Sequence, residues 1–326
     1  MKVLFVCSGN AKQGISQIVL KQGNSLQKLG VDLTFFTVKG KGARSYLKAA
    51  RELRQYLKEN PTDIIHAHFA LCGLVSWLAH RKEKLVISFM GSDVLGINTT
   101  DGKFTQFGKW YAWFNRTFHR YTFDYIIVKS GEMARTFGRT LSNLSIIPNG
   151  VDMDDFCLID KEVAFRHTTP SITPQPFKRH VLFISNPNRN EKNFPLAEQA
   201  VQALGRDDVQ LTAVHSLSIS DLKYYYAVSD VVIMTSFHEG SPNVMKEALA
   251  TNCNVVCTDV GDVKELFGDL PNCWITSHVV DDVRLALDQA LSRPREMNQS
   301  RAFILSIGLD DQSVAQRIVD IYTKLN

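Results

Sequence analysis

Two glutamates separated by seven residues stand in the last third of the chain. Glu239 follows a run of apolar and β-branched residues, and a Gly-Ser-Pro-Asn sequence at 240–243 leads from it towards Glu247. This pattern predicts a strand, a loop and a helix that begins near Pro242 or Asn243. Free amides at a helix start suit phosphate or an anionic sugar oxygen, and carboxylates accept hydrogen bonds from hydroxyls. The segment therefore predicts a site for an elongated ligand with both kinds of group.

A short basic segment follows another predicted strand, at 181–185. It carries Arg189 and Lys192. Basic side chains of this kind can bind an anionic ligand such as phosphate, and a solvated basic loop is the alternative interpretation.

Polar residues and a glycine also follow predicted strands in the first third of the chain. Gly14 lies in a turn after the first strand. His66 and His68 alternate on one strand, so they point to the same face; the alternative is a pair of histidines with satisfied hydrogen bonds. Asp93, next to Ser92, could orient a reacting hydroxyl or cap the following helix.

The elements that must position these residues alternate regularly along the chain. Short β-branched runs alternate with longer segments of helical period, which predicts parallel sheets built from βαβ units. One such series occupies 1–157 and a second occupies 180–310, with a linker rich in proline and threonine at 158–179. The last segment, 311–326, is predicted to be a helix that could pack back on the first domain. Open α/β sheets bind ligands at the carboxyl ends of their strands.

The composition is that of a water-soluble globular protein. The 326 residues are 44% hydrophobic and 21% charged, and a formal charge of +4 is too small to favour nucleic acid as a partner. The longest apolar runs fall short of the roughly 20 residues that a spanning helix needs. Because the first residues also lack the features of a signal peptide, a cytoplasmic location is expected.

The six cysteines show neither the paired spacing of zinc sites nor the density of a disulfide scaffold. We interpret them as reduced core residues, and we expect neither a metal nor another cofactor. They are Cys7, Cys72, Cys157, Cys253, Cys257 and Cys273.

In their order along the chain, these segments resemble the retaining GT-B glycosyltransferases of family 4. The sequence HEGSPNVMKEALA, with a strand on either side, is similar to the family's donor-site motif. The resemblance covers nearly the whole chain. It implies an α/β fold of GT-B architecture, in which two Rossmann-like, doubly wound domains face each other across a cleft. It also implies transfer of a sugar from a nucleotide diphosphate donor, with retention at the anomeric carbon and without a metal.

The resemblance assigns roles to the residues above. It implies that Glu239 contacts the hydroxyls of the donor sugar and that Glu247 binds the ribose. It also implies that the turn at Gly14 lies near the donor phosphate. It assigns the diphosphate to Arg189 and Lys192, although the spacing between these two is usually longer in the family. The backbone of Gly240, Ser241, Pro242 and Asn243 would meet the sugar and the diphosphate.

One position departs from the family. The family has a histidine before a Gly-Ser-Asp sequence, and Met90 stands there in this chain. A thioether cannot hydrogen-bond a sugar as an imidazole does. His66 and His68 are the nearest candidates to replace it, and Ser92 and Asp93 complete the acceptor-side group.

A segment at 103–121 is rich in aromatic and basic residues and holds no acidic residue. A helix of this kind is typical of an enzyme that lies on anionic lipid, which would suit a lipid-linked acceptor. The alternative is a helix whose aromatic side chains pack against the sheet.

The sequence thus predicts a glycosyltransferase, with UDP favoured over GDP in its donor. We expect a glycan or lipid-linked acceptor in cell-surface polysaccharide or glycolipid synthesis, and a location at the inner face of the membrane. Two alternatives stay open at this point. One is a GT-B epimerase, and the other is a catalytically silent subunit that binds nucleotide sugar or carbohydrate, which the methionine at position 90 would permit.

Overall fold

A computed structural model describes residues 1–11, 14–96, 103, 105–138, 140–168 and 178–326. They form two compact units. The first unit holds most of the chain up to Gly150 together with Asp311–Asn326, and the second holds Val151–Asp310. The division after Gly150 lies before the predicted domain end at 157. Of the predicted linker, 169–177 lie outside the described residues.

The first unit is a parallel sheet flanked by helices, with strand order β2-β1-β3-β4-β5-β6. Its strands are β1 (Lys2–Ser8), β2 (Asp32–Val38), β3 (Ile64–His68), β4 (Lys84–Ser88), β5 (Tyr125–Val128) and β6 (Leu144–Ile146). Its helices up to this point are α1 (Gln17–Lys28), α2 (Ala43–Glu59), α3 (Ala70–Ala79), α4 (Ser92–Leu95), α5 (Gln106–Thr122) and α6 (Gly131–Arg135).

The second unit is also a parallel sheet, with strand order β11-β10-β9-β7-β8. Its strands are β7 (Arg179–Ile184), β8 (Val209–Val214), β9 (Val231–Met234), β10 (Asn254–Thr258) and β11 (Cys273–Thr276). Its helices are α7 (Lys161–Phe165), α8 (Phe194–Ala203), α9 (Ile219–Val228), α10 (Asn243–Ala250), α11 (Val263–Phe267), α12 (Val280–Ser292) and α13 (Ser300–Ser306).

Each sheet has a buried apolar cluster on both of its faces. Strands covered on two sides need apolar residues at every position, which is why β1 and β9 read as continuous apolar runs rather than alternating ones. The predicted pair of doubly wound α/β domains is confirmed. Within the described part of the chain, every helix is too short or too polar to traverse a bilayer.

The last helix, α14 (Asp311–Leu325), belongs to the first unit and packs beside α1. Tyr322 of this helix lies in the core against β3. Its hydroxyl is 2.5 Å from Nδ1 of His66, whose Nε2 is 2.8 Å from the Ser88 hydroxyl. His66 is fully buried, and burial holds the pKa of its imidazole well below the usual range. The neutral ring therefore ties α14 to two strands.

Replacing Tyr322 by phenylalanine should destabilise the first unit. The change leaves Nδ1 of the buried His66 without its partner, which typically costs about 1–3 kcal/mol. Calorimetric thermal unfolding should show a lower transition temperature for Tyr322→Phe. Tyr121→Phe, at an exposed position of α5, is the control and should change stability by less than about 0.5 kcal/mol. Equal transition temperatures for the two variants would contradict the role given to His66.

Candidate functional site

The candidate site of the second unit lies at the carboxyl ends of β7 and β9. These strands are neighbours in the sheet, while the intervening β8 lies on the other side of β7. Connections leave an open α/β sheet in opposite directions at such a switch point, and ligands bind there. The loop after β7 carries Arg189 and Lys192, and the loop after β9 carries Glu239.

Hydrogen bonds join these two loops directly. The Thr235 hydroxyl donates to the carbonyl of Asn193 at 2.8 Å, and the Phe237 amide donates to the carbonyl of Glu191 at 3.0 Å. Because each bond connects the loop after β7 to the loop after β9, the conformation of each loop depends on that of the other.

Lys192 and Glu239 meet at the centre of the site. Nζ of Lys192 lies 2.5 Å from Oε1 of Glu239, and the Ser236 hydroxyl donates to the same oxygen at 2.8 Å. The two charged side chains are 21% and 17% exposed, so both are reachable from solvent yet held in place. The arrangement offers a cation for phosphate beside a carboxylate for hydroxyl groups.

Helix α10 begins directly after this loop, at Asn243. Pro242 precedes it and makes no side-chain hydrogen bond to its first turn. Helix-start amides of this kind suit an anion. Glu247 lies one turn further on and accepts a hydrogen bond of 2.6 Å from the hydroxyl of buried Tyr226, so its carboxylate has a fixed direction.

Gly261, which the sequence analysis missed, supports the loop from the side of β10. Its φ is +61°, and a Cβ there would lie 2.8 Å from the carbonyl oxygen of Gly240 and 3.0 Å from that of Glu239. A larger residue would therefore displace the loop. The signal in the sequence was a glycine close after a predicted strand, which by itself indicates only a turn.

A second missed residue is Lys246, which is fully buried under the loop. Its Nζ donates to the Ser241 hydroxyl at 3.1 Å. Burial lowers the pKa of Lys246 to about 8, and the negative charges of Asp262 and Glu247 oppose that shift. A lysine within a helix is usually solvent-exposed, so its position in the sequence did not indicate a buried side chain at this site.

Arg189 stands apart from this group. Its guanidinium pairs with Glu191 at 2.5 Å and is 55% exposed. The structure thus brings Lys192 to Glu239 but leaves Arg189 at the surface, and its assignment to a diphosphate stays a prediction.

The candidates of the first unit are dispersed over three loops. Gly14 has φ +85°, and its amide donates to the carbonyl of Ala11 at 2.9 Å, which closes a tight turn. Residues 12–13 of that turn lie outside the described residues. Ser92 is exposed at the start of α4.

Asp93 is fully buried beneath these loops. Its Oδ1 accepts from the amides of Met90 and Gly91 at 3.0 and 2.9 Å, and its Oδ2 accepts from the amide of Ala70 at 3.1 Å. Burial raises the pKa of the carboxyl to about 6, while the backbone amides oppose this. Asp93 therefore positions the loops after β3 and β4, and it is not exposed to a ligand as the acceptor-side prediction requires.

The two histidines of β3 differ in their surroundings. Both ring nitrogens of His66 are bonded within the core, so it cannot serve the acceptor side as predicted. The ring of His68 stacks on it, with centroids 4.5 Å apart, and lies in the wall of a cavity that Met90 also lines. Of the two predicted replacements for the family histidine, His68 is the one that reaches a cavity.

The helix predicted at 103–121 is α5, and residue 104 lies outside the described residues. The helix buries its small and polar side, including Ala112 and Asn115. The alternative interpretation, in which the aromatic side chains pack on the sheet, does not hold for five of them, which are exposed. These are Phe107, Trp110, Trp113, Phe114 and Tyr121.

Two family models match the chain in succession. The model described as Glycosyltransferase Family 4 matches residues 21–155, and the model described as Glycosyl transferases group 1 matches residues 189–292. The chain belongs to the family 4 glycosyltransferases. The second match spans the loops that carry Lys192 and Glu239 of this glycosyltransferase, together with Glu247.

Solved structures share the GT-B fold of this glycosyltransferase over almost its full length. Sucrose-phosphate synthase from Thermosynechococcus elongatus has a TM-score of 0.79 at 14% identity, covering 100% of this chain and 99% of its own. HepE of Anabaena, in complex with UDP and glucose, has a TM-score of 0.75 at 16% identity, covering 99% of each chain. At such identities the likeness concerns the fold.

A shorter stretch is similar to TuaC of Bacillus subtilis strain 168, a protein named as a glycosyltransferase of teichuronic acid biosynthesis. The two are 48% identical over 44 residues, which span 14% of this chain and 11% of that protein. No three metal-binding side chains cluster in the described part of the glycosyltransferase, and metal independence stays a prediction.

Gly261→Ala should damage the site more than the same change at Gly205. Both glycines have φ +61°, but a Cβ at Gly205 would meet nothing within 4 Å. The backbone strain is thus shared, and the difference isolates the contact with the loop at Glu239 and Gly240. A titration with UDP, and the thermal shift that UDP produces, should show weaker binding of UDP for Gly261→Ala alone. Equal UDP affinity in the two variants would contradict the proposed support of the loop.

Proposed function

We propose that this glycosyltransferase moves a sugar from a nucleotide diphosphate donor to a hydroxyl group of a glycan or lipid-linked acceptor. One observation carries the proposal, which is the contact between Lys192 and Glu239 at the carboxyl ends of β7 and β9. A pyrophosphate needs a cation, and the sugar next to it needs hydrogen-bond acceptors. These two groups stand side by side here.

Each part of the donor has a candidate partner. Lys192 neutralises the diphosphate, and the backbone amides of Gly240, Ser241 and Asn243 donate hydrogen bonds to it. Glu239 accepts from the sugar hydroxyls, and Glu247, directed by Tyr226, accepts from the ribose. Because the ammonium group and the helix start compensate the charge that develops on the leaving group, we expect transfer without a divalent metal.

We further propose retention at the anomeric carbon. The bond between that carbon and the phosphate oxygen breaks, the acceptor oxygen bonds to the same face, and its proton passes to the departing phosphate oxygen. The family resemblance of the donor motif supports this. The anomeric coupling of the product in proton NMR tests it, since an inverted product would refute retention.

UDP is the nucleotide that we favour for the donor. HepE, which shares the fold, was solved in complex with UDP and with UDP-glucose. Its binding concerns HepE itself, so for this chain UDP over GDP is a proposal.

For the acceptor we propose a lipid-linked molecule at an anionic membrane surface. The support is an aromatic face, formed by Trp77 of α3 with Phe107, Trp110, Phe114 and Phe118 of α5. Neighbouring rings along α5 are 5.7 to 6.3 Å apart between centroids, and Phe118 meets Trp77 at 5.1 Å.

The charges beside the aromatic face fit the same partner. Helix α5 carries Lys109, Arg116 and Arg120 and has no acidic residue. Exposed aromatic rings enter the interfacial region of a bilayer, and basic residues nearby are attracted to anionic lipid headgroups. A location on the cytoplasmic membrane face and a role in cell-surface polysaccharide or glycolipid synthesis follow as parts of this proposal. The similarity to TuaC is consistent with them.

Lys192→Ala and Glu239→Ala should each lower kcat for sugar transfer by about 10²–10³-fold, the usual cost of removing one group that stabilises developing charge or orients the substrate. Transfer from UDP-sugars to a membrane extract, followed by product analysis, measures this. Lys48→Ala, at an exposed position of α2, is the control and should retain full activity. Full turnover by either site variant would overturn the donor assignment. Conversion of the donor sugar without any acceptor would indicate an epimerase instead.

The double variant Trp110→Glu and Phe114→Glu should release the protein from anionic vesicles. It removes two exposed rings and adds negative charge, so sedimentation with phosphatidylglycerol vesicles should fall at least about tenfold. Leu285→Glu, which changes an exposed apolar residue of α12 in the second unit, should bind as the unmodified protein does. Undiminished vesicle binding by the double variant would exclude this face as the membrane contact.

A further inference from the structure

Lys246 occupies a position in α10 that is unfavourable for a lysine in two respects. The side chain is fully buried, where an ammonium group loses its hydration. It also lies close to the start of the helix, which begins at Asn243, and a positive charge near a helix start opposes the macrodipole. Natural proteins depart from such local rules mainly at functional sites.

The ammonium group reaches back from the helix to the loop that precedes it. Side chains of an α-helix lean towards its start, and Nζ of Lys246 lies 3.1 Å from the hydroxyl of Ser241, two residues before Asn243. Since an ammonium group can only donate, the hydroxyl oxygen accepts this bond. Ser241, which is half-buried, is thereby held from the interior of the second unit.

Asp262 completes this group from another loop, between β10 and α11. The residue is 8% exposed, and its negative charge acts on Lys246. Burial raises the pKa of the Asp262 carboxyl, while a hydrogen bond from the Ser241 hydroxyl and the charge of Lys246 oppose that shift. The Ser241 hydroxyl thus accepts from Lys246 and donates to Asp262, so its direction is fixed from both sides.

The residues that support the donor loop from the side of β10 are consecutive in the chain. Gly261 packs so closely against Gly240 that a Cβ would lie 2.8 Å from the carbonyl oxygen of Gly240. Asp262, the next residue, meets the side chain of Ser241. The loop is therefore fixed by close backbone packing at one residue and by buried polar side chains at the next.

We propose that Lys246 is a positioning residue for the diphosphate of the donor. It does not touch the ligand, because it is fully buried. It acts through Ser241, whose fixed side chain holds the amides of the loop in place for the phosphate beside the sugar. Its positive charge, close to the helix start, also favours an anion there. The inference rests on the proposed function, because that function supplies the diphosphate.

Two variants remove the contact and keep the space filled. Lys246→Met replaces the lysine by an apolar side chain of similar length, but it leaves the buried carboxylate of Asp262 without its counter-charge, which can prevent folding. The double variant Lys246→Met and Asp262→Asn removes both charges and retains both shapes, so it tests the proposal even if the single variant does not fold. Lys264→Met, which removes a charge from an exposed position of α11, is the matched control.

Calorimetric titration of the full chain with UDP and with UMP separates positioning from a general loss of structure. Both Lys246 variants should bind UDP at least about tenfold more weakly than the unmodified protein, the usual scale for losing a hydrogen bond to a charged group. They should bind UMP equally well, since UMP lacks the phosphate that the loop holds. Lys264→Met should match the unmodified protein with both nucleotides. Undiminished binding of UDP, or an equal loss for UMP and UDP, would overturn the proposal.

The pH dependence of UDP affinity gives a second measurement. Burial lowers the pKa of Lys246 to about 8, and the charges of Asp262, ahead of α11, and of Glu247, on α10 itself, oppose that shift. A bound diphosphate stabilises the ammonium form, so deprotonation must weaken binding. From pH about 7 to about 9 the unmodified protein should therefore lose more affinity than the double variant. The titration of UDP itself is common to both proteins, and parallel profiles would contradict the role of Lys246.

The same titrations distinguish this inference from the function on which it rests. An unmodified protein that binds neither nucleotide would contradict the donor assignment, and this inference would fail with it. An unmodified protein that binds UDP no better than the Lys246 variants do would contradict the role of Lys246 alone and leave the donor assignment intact.

Discussion

Lys192 and Glu239 are distant in sequence and meet because β7 and β9 are adjacent in a parallel sheet. The two loops that leave these strands are joined by the Thr235 hydroxyl and the Phe237 amide, and the backbone of Gly261 supports the second loop from the side. The sheet topology thus brings the two residues of the ion pair together, and the hydrogen bonds between the loops hold them there. Any ligand that binds Lys192 must compete with Glu239 for it, which favours a ligand that also satisfies the carboxylate.

The switch points of the two sheets differ in the charged groups that they carry. In the second unit the switch point carries an ammonium group, a carboxylate and a helix start. In the first unit the corresponding place is the cavity that His68 and Met90 line, whose described walls are neutral, because burial keeps His68 and the thiols of Cys7 and Cys72 uncharged.

Much of the architecture could be predicted because strands buried on both faces must be apolar throughout, as in β1 and β9. The glycine loop and the two glutamates indicated the segment that we propose as the donor site, since each residue type there has a distinct chemical use. Which candidate residues can contact a ligand depends on their burial, and the sequence alone does not reveal it. Asp93 and His66 have the chemistry of ligand-binding residues, yet amides and hydroxyl groups within the core occupy them. Gly261 acts through its contact with a loop that is distant from it in sequence. Lys246 occupies a helical position at which a lysine is usually exposed to solvent. Local sequence patterns reveal neither contact.

The most direct test of the account is a calorimetric titration of UDP and UDP-glucose into the protein and into Lys192→Gln and Glu239→Gln. If Lys192 binds the diphosphate and Glu239 binds the sugar, Lys192→Gln should lose at least tenfold in affinity for both ligands. Glu239→Gln should keep its affinity for UDP and lose the additional affinity that the sugar provides. Unchanged binding of both ligands by Lys192→Gln would contradict the assignment of this pair to a nucleotide sugar.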